Sequence, residues 1–194
     1  EEPGRDEQRR ECEGGADGSG VGRLTDSPGV DIPYGWSPDG GRVLFVSGRD
    51  GNLEVYTANP DGAEPNRLTR NPRQDMSPAW SPDGTRIAFE SLRGGNSDVY
   101  VMDADGSDQI NLTVRDLRDG APAWAPDGVR LAFVSERESD AEVYVMDTTY
   151  SYLTRVTDSP REDGRPAWSP DGVRLAFASS RDFNSEVYVA NADG

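Results

Sequence analysis

An all-β chain of four similar sheets is predicted by three features: a repeat of 44 residues, turn residues at fixed places within it, and no sustained helical period. Trp36, Trp80, Trp124 and Trp168 keep the 44-residue spacing, as do Phe45, Phe89, Phe133 and Phe177. Tyr56, Tyr100, Tyr144 and Tyr188 hold it too, and so do Thr25, Thr69, Thr113 and Thr157. No insertion or deletion disturbs the phase, so the repeats span 19–62, 63–106, 107–150 and 151–194. A repeated four-stranded antiparallel unit of about this length is the pattern of a β-propeller blade. Composition agrees. Hydrophobic residues are only 34% of the chain, while Gly 22 and Pro 14 favour short strands and tight turns over a helical bundle.

The second repeat shows each element most clearly. Asn66–Thr69 (NRLT) reads as a short, polar-flanked outer segment, followed by a loop around Pro72. Pro78–Ser81 (PAWS) reads as a strand, closed by Pro82-Asp83-Gly84, in which Pro presets φ and Gly accepts a positive one. Arg86–Ser91 alternates, with Ile87 and Phe89 on one face and Ala88 and Glu90 on the other. Asp98–Asp103 is apolar on both faces, as a strand covered on both sides must be, and Asp105-Gly106 turns the chain after it.

The run RLT…D…PAWSPDG.RIAF.S.R…DVYVMDADG resembles the TolB-type, WD-like propeller repeat over nearly all of 19–194. In family terms PAWS is similar to the innermost strand, RIAFES and DVYVMD to the second and third, and the RLT segment to the outermost. Three departures stand out: Pro33-Tyr34-Gly35 before Trp36, Ala125 for Ser, and Thr149-Tyr150 in place of an Asp-Gly turn.

The phase of the ends bears on closure. An RLT segment opens the repeats at Arg23–Thr25, and the fourth repeat has no later one to complete its sheet. Residues 22–25 are therefore expected to supply the outer strand of the sheet formed by 166–191, removing an exposed edge. Residues 1–18, rich in Glu, Arg and Gly, read as a tail or linker, with Cys12 an idle thiol. Four blades in a full circle need about 90° each, whereas TolB resembles a six-bladed ring with about 60° per blade. Two chains, each lending its RLT strand to the other, would make an eight-bladed homodimeric ring; a place within a longer propeller is the third arrangement. The sequence leaves all three open.

Charge and composition narrow the function. Thirty-six acidic residues against 20 basic ones give a net charge of −16, which repels nucleic acid and favours a basic partner. No apolar run approaches the ~20 residues of a membrane-spanning helix, so membrane insertion is not expected. His is absent, and every basic residue is Arg. That removes Ser-His and Cys-His nucleophiles, His-ligated zinc, Schiff bases and Walker-type phosphate loops. Carboxylate pairs and carboxylate-bound metals are the catalytic chemistry left.

Asp31, Asp75, Asp119 and Asp163 are the leading metal-site candidates. Each precedes an inner strand facing the mouth of the channel, where four symmetry-related carboxylates could hold Ca²⁺. Against this stands a structural role, with each Asp accepting hydrogen bonds from its own loop and from an Arg of a neighbouring blade. A second acidic set lies in the hairpin between the second and third strands: Asp50-x-Asn52-x-Glu54, Glu138-x-Asp140-x-Glu142 and Asp182-x-Asn184-x-Glu186. It lacks the Gly and twelfth-position Glu of an EF-hand. Its residue before Val-Tyr is expected to pair with Arg49, Arg93, Arg137 or Arg181 across the hairpin. The four Trp are expected to be buried between blades. Ser37, Ser81 and Ser169 lie near Asp in their turns but have no base.

The expected function is that of a non-enzymatic, TolB-like scaffold without a cofactor, binding a protein or peptide. The resemblance implies an extracytoplasmic, periplasmic or secreted setting. Rival readings are the propeller half of a prolyl-oligopeptidase-like enzyme, whose Gly-x-Ser-x-Gly is missing here, and a calcium- or carbohydrate-binding propeller.

Overall fold

The computed structural model describes residues 21–114, 117–138, 140–149 and 151–194. The tail 1–18 with Cys12, Tyr150 and the Glu138 side chain lie outside the described residues. Four antiparallel sheets follow one another along the chain. The first is β1 (Asp31–Trp36), β2 (Val43–Ser47), β3 (Glu54–Ala58) and β4 (Asn66–Arg67), hydrogen-bonded in that order. The second is β5 (Asp75–Trp80), β6 (Arg86–Ser91), β7 (Asp98–Asp103) and β8 (Ile110–Asn111). The third is β9 (Asp119–Trp124), β10 (Arg130–Glu138), β11 (Asp140–Asp147) and β12 (Leu153–Arg155). The last has only three strands: β13 (Asp163–Trp168), β14 (Arg174–Ser179) and β15 (Glu186–Asn191).

Local chemistry makes the hairpins. In the Pro-Asp-Gly turn Gly84 takes a φ of 71° and its N–H donates to the Ser81 carbonyl at 2.9 Å. The Asp83 carboxylate accepts from the Ser81 hydroxyl at 2.6 Å and from the Thr85 N–H at 3.0 Å. These bonds, the Ser81 hydroxyl foremost, hold the Asp83 carboxyl down at about 2. Strands β6 and β7 fall on the residues expected, while β5 begins at Asp75 rather than Pro78. A bulge explains the longer inner strand. Pairing with β6 shifts between Met76 and Ala79, and Ser77 takes a φ of 50°; Ala121 and Arg165 do the same in β9 and β13.

In β1 this bulge is altered because the corresponding residue is Pro33, whose ring holds φ near −65°. Pro33 stays paired with Phe45, and the shift moves to between Pro33 and Gly35. The neighbouring sheet feels the change. Trp124 donates its indole N–H to the Ala79 carbonyl at 3.1 Å, and Trp168 donates to Ala123 at 3.0 Å, each to the preceding sheet. The buried Trp80 indole N–H has no such acceptor. Changing Pro33→Ser, Tyr34→Pro and Gly35→Ala together should restore the bulge and the acceptor, raising stability by about 1 kcal/mol. A urea midpoint that stays put or falls would contradict this account.

The core lies between successive sheets. Leu44 and Val55 pack on Ile87, Phe89 and Met102; Ala88, Val99 and Val101 pack on Leu131, Phe133 and Met146; Ala132 and Val143 pack on Leu175 and Phe177. Among the described residues three interfaces of one kind join four blades, and no packing of similar extent joins the first sheet to the last. Residues 22–25 do not complete the last sheet within the chain. They lie outside any strand, with the Leu24 carbonyl against Gly62 at the end of the first repeat.

Candidate functional site

The four aspartates of the inner strands each meet an arginine of their own blade, not of a neighbouring one. Asp31 pairs with Arg49 at 3.5 Å, Asp75 with Arg93 at 2.9 Å, Asp119 with Arg137 at 3.0 Å and Asp163 with Arg181 at 2.9 Å. Each Arg also donates from Nε to the Ser two residues before it, as Arg93 does to Ser91 at 2.8 Å. Its guanidinium covers the Phe–Tyr pair of the same sheet, 5.4 Å from the Phe89 ring and 4.6 Å from Tyr100 in the second. The unit is a staple across three strands. Burial pushes the Asp75 carboxyl up, with Arg93 acting against it. Among the described residues no three carboxylates gather where they could share a metal ion.

This pairing corrects the expected partner of the Ser-x-Arg arginines. The acidic residue before Val-Tyr binds the arriving outer strand instead. Glu54 accepts from the Thr69 hydroxyl at 2.6 Å, Arg67 at 3.0 Å and the Asn71 N–H at 3.1 Å. Glu142 repeats the pattern with Thr157, Arg155 and Ser159. The same Thr hydroxyls accept from Val55 and Val143, each at 2.9 Å. Ser37, Ser81 and Ser169 spend their hydroxyls on the Asp of their own turns. Three of the four Trp are packed between blades; Trp36 is 58% exposed, with no sheet packed before it among the described residues.

A cleft of about 670 Å³ opens among the second, third and fourth blades where their inner strands begin. Asp119 and Asp163 stand in its wall with their carboxylates turned to Arg137 and Arg181. The groups that face it are Glu90, Glu136, Glu162, Arg118 and Arg165. Glu90 reaches from β6 toward β9. One of its oxygens accepts from the Ser97 hydroxyl at 2.6 Å and the other from the Ala121 N–H at 3.3 Å. A Cβ at Gly120 would lie 2.5 Å from that second oxygen, so the carboxylate takes this place in room that glycine leaves.

The family model of the TolB beta propeller domain matches residues 18–119 and 115–194. The chain belongs to the TolB β-propeller family. No curated protein matches it. Among solved structures it is similar to TolB from Acinetobacter baumannii, with a TM-score of 0.76 and 23% identity over 90% of this chain and 44% of that one. An oligogalacturonate lyase from Vibrio parahaemolyticus follows, with a TM-score of 0.68 and 17% identity over 89% and 53%. A puromycin-hydrolyzing peptidase from Mycobacterium tuberculosis gives 0.73 and 18% over 91% and 29%. The chain thus spans less than half the length of the Acinetobacter TolB, and at these identities the likeness is one of fold.

Within a TolB-type blade, what repeats holds the blade, so the cleft is best read from what does not repeat. Glu90 occupies a column that is Val46, Val134 and Ala178 in the other repeats. Gly120 and Gly164 occupy one that is Ile32 and Met76. Reading for periodicity found the aspartates and passed over these positions. The signal that finds them is a charged residue in an apolar column, matched by glycine in the column it faces.

Proposed function

We propose that this TolB-type propeller segment is a non-enzymatic protein-binding scaffold that takes a basic side chain of a protein or peptide partner into the cleft beside Glu90. The observation that carries this reading is Glu90 itself: a carboxylate in an otherwise apolar column, given room by Gly120 and open to the cleft. A net charge of −16 steers basic partners toward the molecule. Without His or Lys, and with its Ser hydroxyls bound in turns, the chain offers little to hydrolytic chemistry of the kind named for the peptidase it resembles. The reading calls for no cofactor, since the inner aspartates already have arginine partners. An extracytoplasmic setting, implied by the TolB resemblance, belongs to the same proposal; no helix among the described residues is long and apolar enough to cross a membrane.

Fluorescence polarisation with short arginine-rich, lysine-rich and neutral peptides tests it. The basic peptides should bind at physiological salt and the neutral one should not. Glu90→Gln keeps the shape and the Ser97 contact while giving up the long Ala121 N–H bond, and should weaken binding about tenfold with the fold retained by circular dichroism. Absence of binding, or binding indifferent to this substitution, would sink the reading.

A further inference from the structure

The hairpin between the second and third strands of a blade turns on a residue of left-handed conformation. Gly51 and Gly95 fill this place in the first two blades, with φ of 105° and 103°. In the fourth blade the residue is Phe183, with a φ of 72°. The turn is the same one. Each of the three donates its N–H to the carbonyl three residues earlier, Phe183 to that of Ser180 at 3.0 Å. A left-handed backbone is unfavourable for any residue with a Cβ, and glycine avoids the penalty. Phenylalanine gains no burial in return, since Phe183 is 85% exposed.

That exposure belongs to the hairpin tip and not to the open side of the last sheet. A Cβ at Gly51 or Gly95 would meet nothing within 4 Å, although each of those blades has another packed after it. A side chain in this column therefore points into solvent even where a further blade follows. An unfavourable backbone that presents a bare aromatic ring does nothing for the fold. Such residues concentrate where something binds.

Phe183 stands beside the cleft. Ser180, its turn partner, lines the cleft, and the Ser180 N–H donates at 3.1 Å to the carbonyl of Glu162, which lines it too. Arg161, next to Glu162, lays its guanidinium 4.3 Å from the centre of the Phe183 ring. This contact decides what the ring can receive. With Arg161 against the ring, a second cation there would be repelled. An anion would meet Glu162 and a net charge of −16. An uncharged apolar side chain gains from the remaining surface without either cost.

We infer that Phe183 is a second anchor of the peptide site, receiving an apolar side chain of the same partner whose basic side chain Glu90 takes; this rests on the reading of the cleft given above. Glu90 and Phe183 lie two blades apart. Packed sheets are about 10 Å apart, so an extended peptide at ~3.3 Å per residue covers the distance in about six residues. The partner is an extended peptide segment with a basic and an apolar residue about six positions apart.

Fluorescence polarisation tests this with labelled peptides that carry one arginine and one leucine six positions apart, made in both orders. The controls are the same peptides with alanine for leucine. In one of the two orders leucine should tighten binding to the wild-type chain about fivefold. Phe183→Gly should bring the leucine peptide down to the level of the alanine one, whereas Glu90→Gln should weaken both alike. Because Phe183→Gly installs the residue of the first two blades, its urea midpoint should not fall. A leucine gain that survives Phe183→Gly, or no gain in either order while Glu90→Gln still weakens binding, overturns this inference and leaves the cleft reading standing. Binding of neither peptide overturns both. A clear fall in the urea midpoint of Phe183→Gly would show that the ring holds the fold, and overturns the inference as well.

Discussion

Phe133→Ala should lower stability by about 3–5 kcal/mol, and Phe45→Ala, the same residue of the repeat two blades earlier, should cost clearly less. Phe133 is fully buried in a cluster built from two sheets, with Ala88 and Val99 on one side and Leu131 and Tyr144 on its own. Removing its ring leaves a cavity that neither sheet can collapse to fill. Phe45 is also buried, under the same kind of arginine cover, but its cluster holds only Tyr56 and Ala58, and no preceding sheet packs on it among the described residues. With one sheet fewer around the ring, less packing is lost when it is removed. Against a typical total of roughly 5–15 kcal/mol the Phe133 loss is large, so the two urea midpoints should separate cleanly. Equal midpoints would mean that the blades are energetically independent, contrary to the packing.

The second large effect is expected from Thr157→Val, which conserves shape and removes one hydroxyl. That hydroxyl accepts from the Val143 N–H at 2.9 Å and donates to Glu142, and both groups are buried. The buried Val143 N–H left without its side-chain acceptor costs about 1–3 kcal/mol, and Glu142 loses one of its bonds while keeping Arg155 and the Ser159 N–H. Thr25→Val is the matched control. Thr25 meets no sheet edge, and its hydroxyl donates instead to the Asp31 carboxylate, which also has Ser27 and Arg49, so the change should cost clearly less, about 1 kcal/mol. Chemical denaturation of both variants separates the two environments. A destabilisation of Thr25→Val as large as that of Thr157→Val would show that the buried contacts of Thr157 carry no special weight.

Much of the blade was legible before any coordinates. Strands β6 and β7 lie at Arg86–Ser91 and Asp98–Asp103 as read, and the Pro-Asp-Gly turns close the hairpins expected of them. The arginine partners were misread for a physical reason. Along the chain Arg93 is near Asp98, but the pleat and the bulge of β5 bring it to Asp75, 18 residues away, while Asp98 turns to Asn111 of the outer strand. The start of the inner strand was missed because the residues that bulge take a positive φ, which nothing about Ser77 announces. The cleft was missed because Glu90 reads as the solvent face of an alternating strand, and only the β9 backbone shows what it faces.

The sequence by itself determined the repeat, its strands, its turns and its family, because these rest on local contacts and on a period that any copy displays. It also determined that four copies of every column exist. What it could not rank was those copies against one another. Phe45 and Phe133, Trp36 and Trp124, Val187 and Val143 are equivalent in the repeat, yet one of each pair lies at an uncovered end and the other between sheets. Burial of a blade's faces is supplied by the sheets before and after it. Those sheets are a full repeat away in the chain, so only the tertiary arrangement decides which copy has a neighbour.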